Sequence, residues 1–133
     1  MNQQETSKII LKYGVIAIAS AMFIYFLARV SGNDFIVSAP PALFSPIPWW
    51  LFLGYAAGGA LAMFPLIAVA TKLSRLRLIS YLGIFGGLGL MTPAPFLVTS
   101  DISTLIWLNL SHVALVVPLL IMVNRLQPKP VGA

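Results

Sequence analysis

Apolar residues fill four long blocks of this chain, and the polar positions fall between the blocks rather than alternating with apolar ones inside them. A run of about 18 or more apolar residues with few charges is long enough to cross a bilayer as a helix. The blocks predict helices over about residues 9–30, 49–71, 79–97 and 104–123, within a single domain of residues 1–133. Backbone polar groups in lipid must be satisfied within the segment, so the fold class that follows is all-α, an integral membrane four-helix bundle. A cleaved leader is the competing reading of the first block. It calls for a shorter apolar core of about 7–15 residues and small residues at the cleavage point, where this chain has Arg29.

The connections orient the bundle. Residues 72–78 hold Lys72, Arg75 and Arg77, the one interior place where positive charge collects. Basic connections stay on the cytoplasmic side. This threading puts Lys8, Lys12, Lys72, Arg75, Arg77, Arg125 and Lys129 inside, and Arg29, Asp34 and Asp101 outside. Both termini are then cytoplasmic. Trp49, Trp50 and Trp107 fall at the outer interface, where amphipathic rings are favoured. Residues 31–48 contain Pro40, Pro41, Pro46 and Pro48, which rules out a continuous helix or a central strand and predicts a loop. Phe35, Ile36, Val37, Leu43, Phe44 and Ile47 make that loop apolar, as suits an interfacial connector or, alternatively, a lid. The last helix is expected to start through a Ser103 or Thr104 cap. Pro93 and Pro95 end or kink the third helix, and residues 124–133 are expected to form a disordered tail.

Composition sharpens the picture. Of 133 residues, 59% are hydrophobic and 8% charged, against about 25% charged in soluble domains. The net charge of +5 does not form a basic polar face, so no nucleic-acid partner is expected. The cations read as topology signals and headgroup contacts, with the lipid bilayer as partner. The absence of cysteine removes disulfides, thiolate metal sites and dithiol redox chemistry.

Small residues one turn apart let helix backbones approach closely in lipid. Gly54 and Gly58 on the second helix and Gly83 and Gly87 on the third predict that these two helices pack together. Polar residues inside a membrane are candidates for function. The threading gathers Tyr25, Arg29, Tyr55, Thr92, Asn109, Ser111 and His112 toward the outer half. His112 lies roughly 10 Å down at about 1.5 Å per residue. Asn109 and His112, three residues apart, share a face and with Tyr55, Tyr25, Arg29, Thr92 and Asp34 outline a pocket open to the outside. The favoured role for Asn109 and His112 is nevertheless interhelical hydrogen bonding, with the pocket as the alternative. A lone histidine is a poor metal site, because zinc takes three or four ligands, so no metal and no cofactor is expected. Ser111 and His112 are adjacent on a helix and do not face each other, which gives no nucleophilic pair and no catalytic residue.

Gly32-Asn33-Asp34-Phe35 after the first helix, the Pro-rich stretch before the second and Ser111-His112-Val113-Ala114 in the fourth resemble an uncharacterised family of small four-helix bacterial membrane proteins, mainly of actinobacterial type. Ser111 stands where such proteins commonly have Met, and Thr92 lies near a position often occupied by Ser. The resemblance implies a multi-pass protein of the bacterial inner membrane and no particular activity. The expected role is a non-enzymatic accessory or structural subunit of a membrane assembly, or a homo-oligomer. The alternative is an outward-facing binding or transport module around His112.

The topology is open to direct test, because the chain has no cysteine of its own. Among Asn2→Cys, Ser38→Cys, Ser74→Cys and Ser100→Cys, an impermeant maleimide added to intact cells should label only Ser38→Cys and Ser100→Cys. Labelling of Ser74→Cys would overturn the orientation.

Overall fold

The computed structural model describes residues 3–39, 42–62, 76–91 and 93–126. They form α1 (Gln3–Val30), a hairpin of β1 (Ile36–Ala39) and β2 (Ala42–Pro46), α2 (Trp49–Leu61), α3 (Leu76–Met91), a short α4 (Ala94–Val98) and α5 (Ile102–Leu126). The fold is mostly helical. Three stretches, Gln4–Val30, Leu78–Val98 and Ile102–Leu126, are long and apolar enough to cross a membrane. Residues 63–71 of the expected second span lie outside the described residues, as do Thr92, Lys72, Arg75 and 127–133. Arg77 lies in the first turn of α3.

The broadest contact joins the first and last helices, α1 and α5; α2 packs on α1, and α3 on α5. Asn33, just past the end of α1, bonds Ser103 and Thr104 at the start of α5, so these two helices run antiparallel. At the other end the Tyr81 hydroxyl of α3 donates to the Asn124 side chain of α5. This pair is also antiparallel.

What α1 buries explains the packing. Its inner face is Gly14, Ala17, Ala21, Tyr25 and Ala28, three or four residues apart and therefore on one side of a helix. Its outer face is Val15, Phe23, Phe26, Leu27 and Val30, with Val30 87% exposed. Small residues inside and large apolar residues outside is the reverse of a water-soluble bundle. It is the arrangement that brings helices together by close backbone approach in an apolar surrounding. Opposite it, α5 buries Leu108, Ser111, Leu115, Leu119, Met122 and Val123, and Pro118 lies buried within the helix.

The hairpin end is tied by hydrogen bonds. Gly32 adopts φ +85°; its N–H donates to the Arg29 carbonyl and that of Asn33 to Ala28, a Schellman ending that needs a residue free to turn left-handed. Asn33 Oδ1 accepts from the Phe35 N–H at 2.9 Å, holding Phe35 at φ +49° with its side chain fully buried. Phe35 stacks on Tyr25 at 5.2 Å between ring centroids, and Phe52 of α2 closes on Tyr25 at 4.7 Å. The Tyr25 hydroxyl donates to the Ile47 carbonyl at 2.7 Å.

Four expectations are corrected. The Pro-rich stretch is not a plain loop: it contains an antiparallel hairpin, with Ile36 opposite Pro46 and Ala39 opposite Ala42. A two-stranded ribbon has no central strand, and Pro46 closes β2, where a missing donor costs little. The last helix starts after Asp101 rather than at a Ser103 or Thr104 cap, since Asp101 Oδ2 accepts from the Thr104 N–H at 2.7 Å. It also continues to Leu126, so residues 124–126 belong to the bundle and not to a tail. Finally, the close packing of the second and third helices through Gly54, Gly58, Gly83 and Gly87 is not formed. Among the described residues α2 and α3 make no substantial contact, and nothing stands within 4 Å of a Cβ placed on Gly54, Gly58 or Gly87. The close glycine approach is at Gly59, where a Cβ would meet Leu115 Cδ2 of α5 at 3.0 Å.

The Asn33 side chain is thus the tie between the two ends of the chain fold, and its removal should be felt. Asn33→Ala strands the Phe35 N–H and the buried Thr104 hydroxyl and should cost about 1–3 kcal/mol, read as a fall in melting temperature in detergent. Arg29→Ala breaks an exposed ion pair and should cost no more than about 1 kcal/mol. Equal losses from the two would overturn the ranking.

Candidate functional site

A cavity of about 270 Å³ opens between α2 and α5. It exists because Ala21 of α1, Ala56 and Gly59 of α2 and Ala94 of α4 contribute almost no side-chain volume to a wall otherwise made by Ile47, Phe52, Tyr55, Leu108 and Leu115. Ser111 and His112 of α5 supply its polar atoms together with Tyr55. The Ser111 hydroxyl donates to the Leu108 carbonyl at 2.7 Å, a bond within its own helix. His112 Nδ1 is buried and has no hydrogen-bond partner among the described residues.

The residues expected to form one pocket separate into several environments. His112 and Tyr55 line the cavity. Asn109 does not: its side chain donates to the Leu105 carbonyl at 3.0 Å, and it lines a different groove with Phe96, Ile106 and Val113. Residues three apart on a helix diverge by about 60°, enough here to carry Asn109 to another face. Tyr25 is enclosed in the aromatic cluster, with its hydroxyl committed to Ile47. Arg29 and Asp34 form an ion pair at 2.6 Å, with 37% and 62% of their side chains exposed; they sit outside the cavity. Thr92 lies outside the described residues. The cavity residues not singled out from the sequence are Ala21, Ala56, Gly59 and Ala94, whose contribution is missing volume.

A second, polar cleft of about 310 Å³ lies at the hairpin end, lined by Asn33, Asp34, Asp101, Ser103 and Thr104 with Gly32 and Ile36. No group of three or more metal-ligating side chains occurs among the described residues. Its chemistry is that of a helix cap. The Thr104 hydroxyl, followed by the Thr104 and Ser103 N–H groups and the Asn33 amide, holds the Asp101 carboxyl below the usual carboxylate range.

Comparison of the chain with models of known families, with curated proteins and with solved structures finds no match. What the site does rests on its own chemistry. A largely apolar cavity of this size can hold a small uncharged molecule. It has no hydrogen-bonded nucleophile and base pair among the described residues.

The Asp101 cap carries a pH dependence whose sign follows from the depressed pKa. A carboxylate stabilised by folding contributes stability that is fully present above its unfolded value of about 3.9 and is lost as pH falls through the lower folded value. The melting temperature in detergent should therefore decline as pH is lowered from about 4, and Asp101→Asn, which cannot ionise, should flatten that decline. A variant curve that still tracked the parent's acid branch would sink the assignment.

Proposed function

We propose that the chain is a four-span protein of the bacterial inner membrane, with both termini cytoplasmic, that works without catalysis as a helix-packing subunit of a larger membrane assembly or of a homo-oligomer. It is in this respect similar to the family of small four-helix bacterial membrane proteins. Three apolar helical stretches of 27, 21 and 25 residues, the second spanning α3 and α4, support the membrane reading. So does the inverted face of α1, and the apolar block of residues 49–71 supplies the remaining span. Lys8, Lys12 and Arg125 fall at the end of the bundle opposite Asp34 and Asp101, the asymmetry that favours a cytoplasmic basic side.

The observation that carries the packing role is the open glycine faces of α2 and α3. Gly54 and Gly58 on α2, and Gly86, Gly87 and Gly89 on α3, have nothing within 4 Å of the position a Cβ would take. Glycine costs a helix about 1 kcal/mol relative to alanine, and in lipid the compensation is a second backbone at close range. The described residues of this chain do not supply that backbone. A helix of another chain would.

Two neighbouring glycines separate this role from internal stability. Gly58→Ile should leave the melting of the isolated chain close to the parent's but shift the species purified in mild detergent toward monomer, read by size-exclusion with light scattering. Gly59→Leu presses on Leu115 and should destabilise the bundle itself by about 1–3 kcal/mol. Undiminished assembly of Gly58→Ile would overturn the packing role. Mass spectrometry of co-purifying chains distinguishes a foreign partner from a second copy.

A further inference from the structure

The outward side of α5 is apolar, with Ile102, Ile106, Leu110, Val113 and Val117 exposed, and Asn109 interrupts it. Asn109 shares a helix side with Ile106 and Val113, three residues after one and four before the other. All three line the open groove of about 450 Å³ beside Phe96 of α4. The amide is deep. It lies roughly 10 Å from the start of α5 at about 1.5 Å per residue, and the 25-residue helix overreaches a hydrocarbon layer of about 30 Å by only about 7 Å. A polar group at that depth needs a partner. Within its own helix Asn109 meets part of the need, since Nδ2 donates to the Leu105 carbonyl at 3.0 Å. An amide carries two donor hydrogens and an accepting oxygen, and among the described residues the second N–H and Oδ1 make no bond. The enclosed orphan atoms among the described residues are on Ser80 and His112, so the free side of the Asn109 amide is reachable from the groove.

We propose that this side of α5 docks a second copy of the chain, with the two Asn109 amides paired reciprocally inside the membrane. The inference rests on the reading of the chain as a helix-packing membrane subunit, and it names the partner. Self-complementarity selects a second copy. What each amide has left is one donor and one acceptor, and an identical amide offers the matching acceptor and donor. Two chains inserted with the same orientation are related by a two-fold axis along the membrane normal, so a residue at a given depth meets its own counterpart. An ion or a charged ligand is not the occupant, because no charged side chain lines the groove and the charge would lose its hydration there. Ile106 and Val113 supply apolar contact on either side of the amide pair, and the groove beside Phe96 receives side chains of the partner helix. The surface is separate from the glycine faces, which belong to α2 and α3.

The test is cysteine cross-linking of the full chain, which has no cysteine of its own. Ile106→Cys and Val113→Cys, oxidised with copper phenanthroline in mild detergent, should each give a disulfide-linked dimer, since positions beside a two-fold axis approach within disulfide range. Phe23→Cys is the control: Phe23 is exposed on α1 at a similar distance from the same end of the bundle, and it should not cross-link. Adding Asn109→Leu to Val113→Cys should lower about tenfold the detergent-to-protein ratio at which half the chains cross-link, as expected for two interhelical hydrogen bonds lost. Asn109→Gln, which keeps both donor and acceptor, should stay within about threefold of the parent. Cross-linking at Ile106→Cys and Val113→Cys no greater than at Phe23→Cys, or an unchanged half-point with Asn109→Leu, overturns the proposal. Val113→Cys carrying Gly58→Ile should cross-link as before, so failure here and failure of the glycine faces are read separately. Loss of the cross-link in that background would move the contact to the glycine faces and equally overturn the proposal.

Discussion

One side-chain amide holds the hairpin end of this bundle together. Asn33 is 8% exposed. Its Nδ2 donates to the Ser103 and Thr104 hydroxyls at 3.0 and 3.2 Å, while its Oδ1 receives the Phe35 N–H. A buried amide is costly unless satisfied on both sides, so this constellation has little latitude. It fixes where α1 ends relative to where α5 begins. It also holds the left-handed turn at Phe35 that drops an aromatic ring onto Tyr25. From that ring the order passes to Phe52 and hence to the start of α2. The floor of the cavity, Ile47 and Phe52, is set by the same chain of contacts.

Away from that end, packing is carried by small side chains. Ala17, Ala21 and Ala28 let α1 approach α5 closely, and the large residues that would form the core of a water-soluble protein point outward. Lipid tails are as apolar as leucine, so helices there gain little from burying leucine against each other and more from close, shaped contact. The same logic makes α2 heterogeneous. Its inner side bears Phe52, Ala56 and Ala60, buried against the bundle, while Gly54 and Gly58 remain open on another side. One helix thus contributes both the wall of a cavity and a free glycine face.

The sequence was legible where a single block carried the signal, and opaque where two distant segments had to be combined. The helical blocks and the break near Pro93 are local properties of composition and spacing. The hairpin is hidden in the sequence because proline breaks helices and central strands alike, yet Pro46 sits at a strand end, where it is tolerated. The sequence does not single out Asp101 as the cap of α5, because Ser103 and Thr104 are equally good capping types two and three residues on. The choice among them depends on Asn33 arriving from 68 positions earlier in the chain. His112 and Tyr55 line one cavity, whereas Asn109, Arg29 and Asp34 share its end of the bundle by depth but not by azimuth. What makes the cavity is absent volume at Ala21, Ala56 and Gly59, and the value of a missing side chain appears only when three helices are superposed in space.

The pairing of α1 with α5 has a consequence for how the chain comes together. Among the described residues these are the first and last helices, and their contact is the broadest, so they form the middle of an open row, α2–α1–α5–α3, rather than a row in which each new helix leans on the one before. A nascent chain cannot form that central pair until α5 has emerged. Until then α1 has only α2 and the hairpin beside it, with its alanine face turned toward a partner still being synthesised. Truncation near the C-terminus would therefore injure the N-terminal helix most, at the far end of the sequence from the cut.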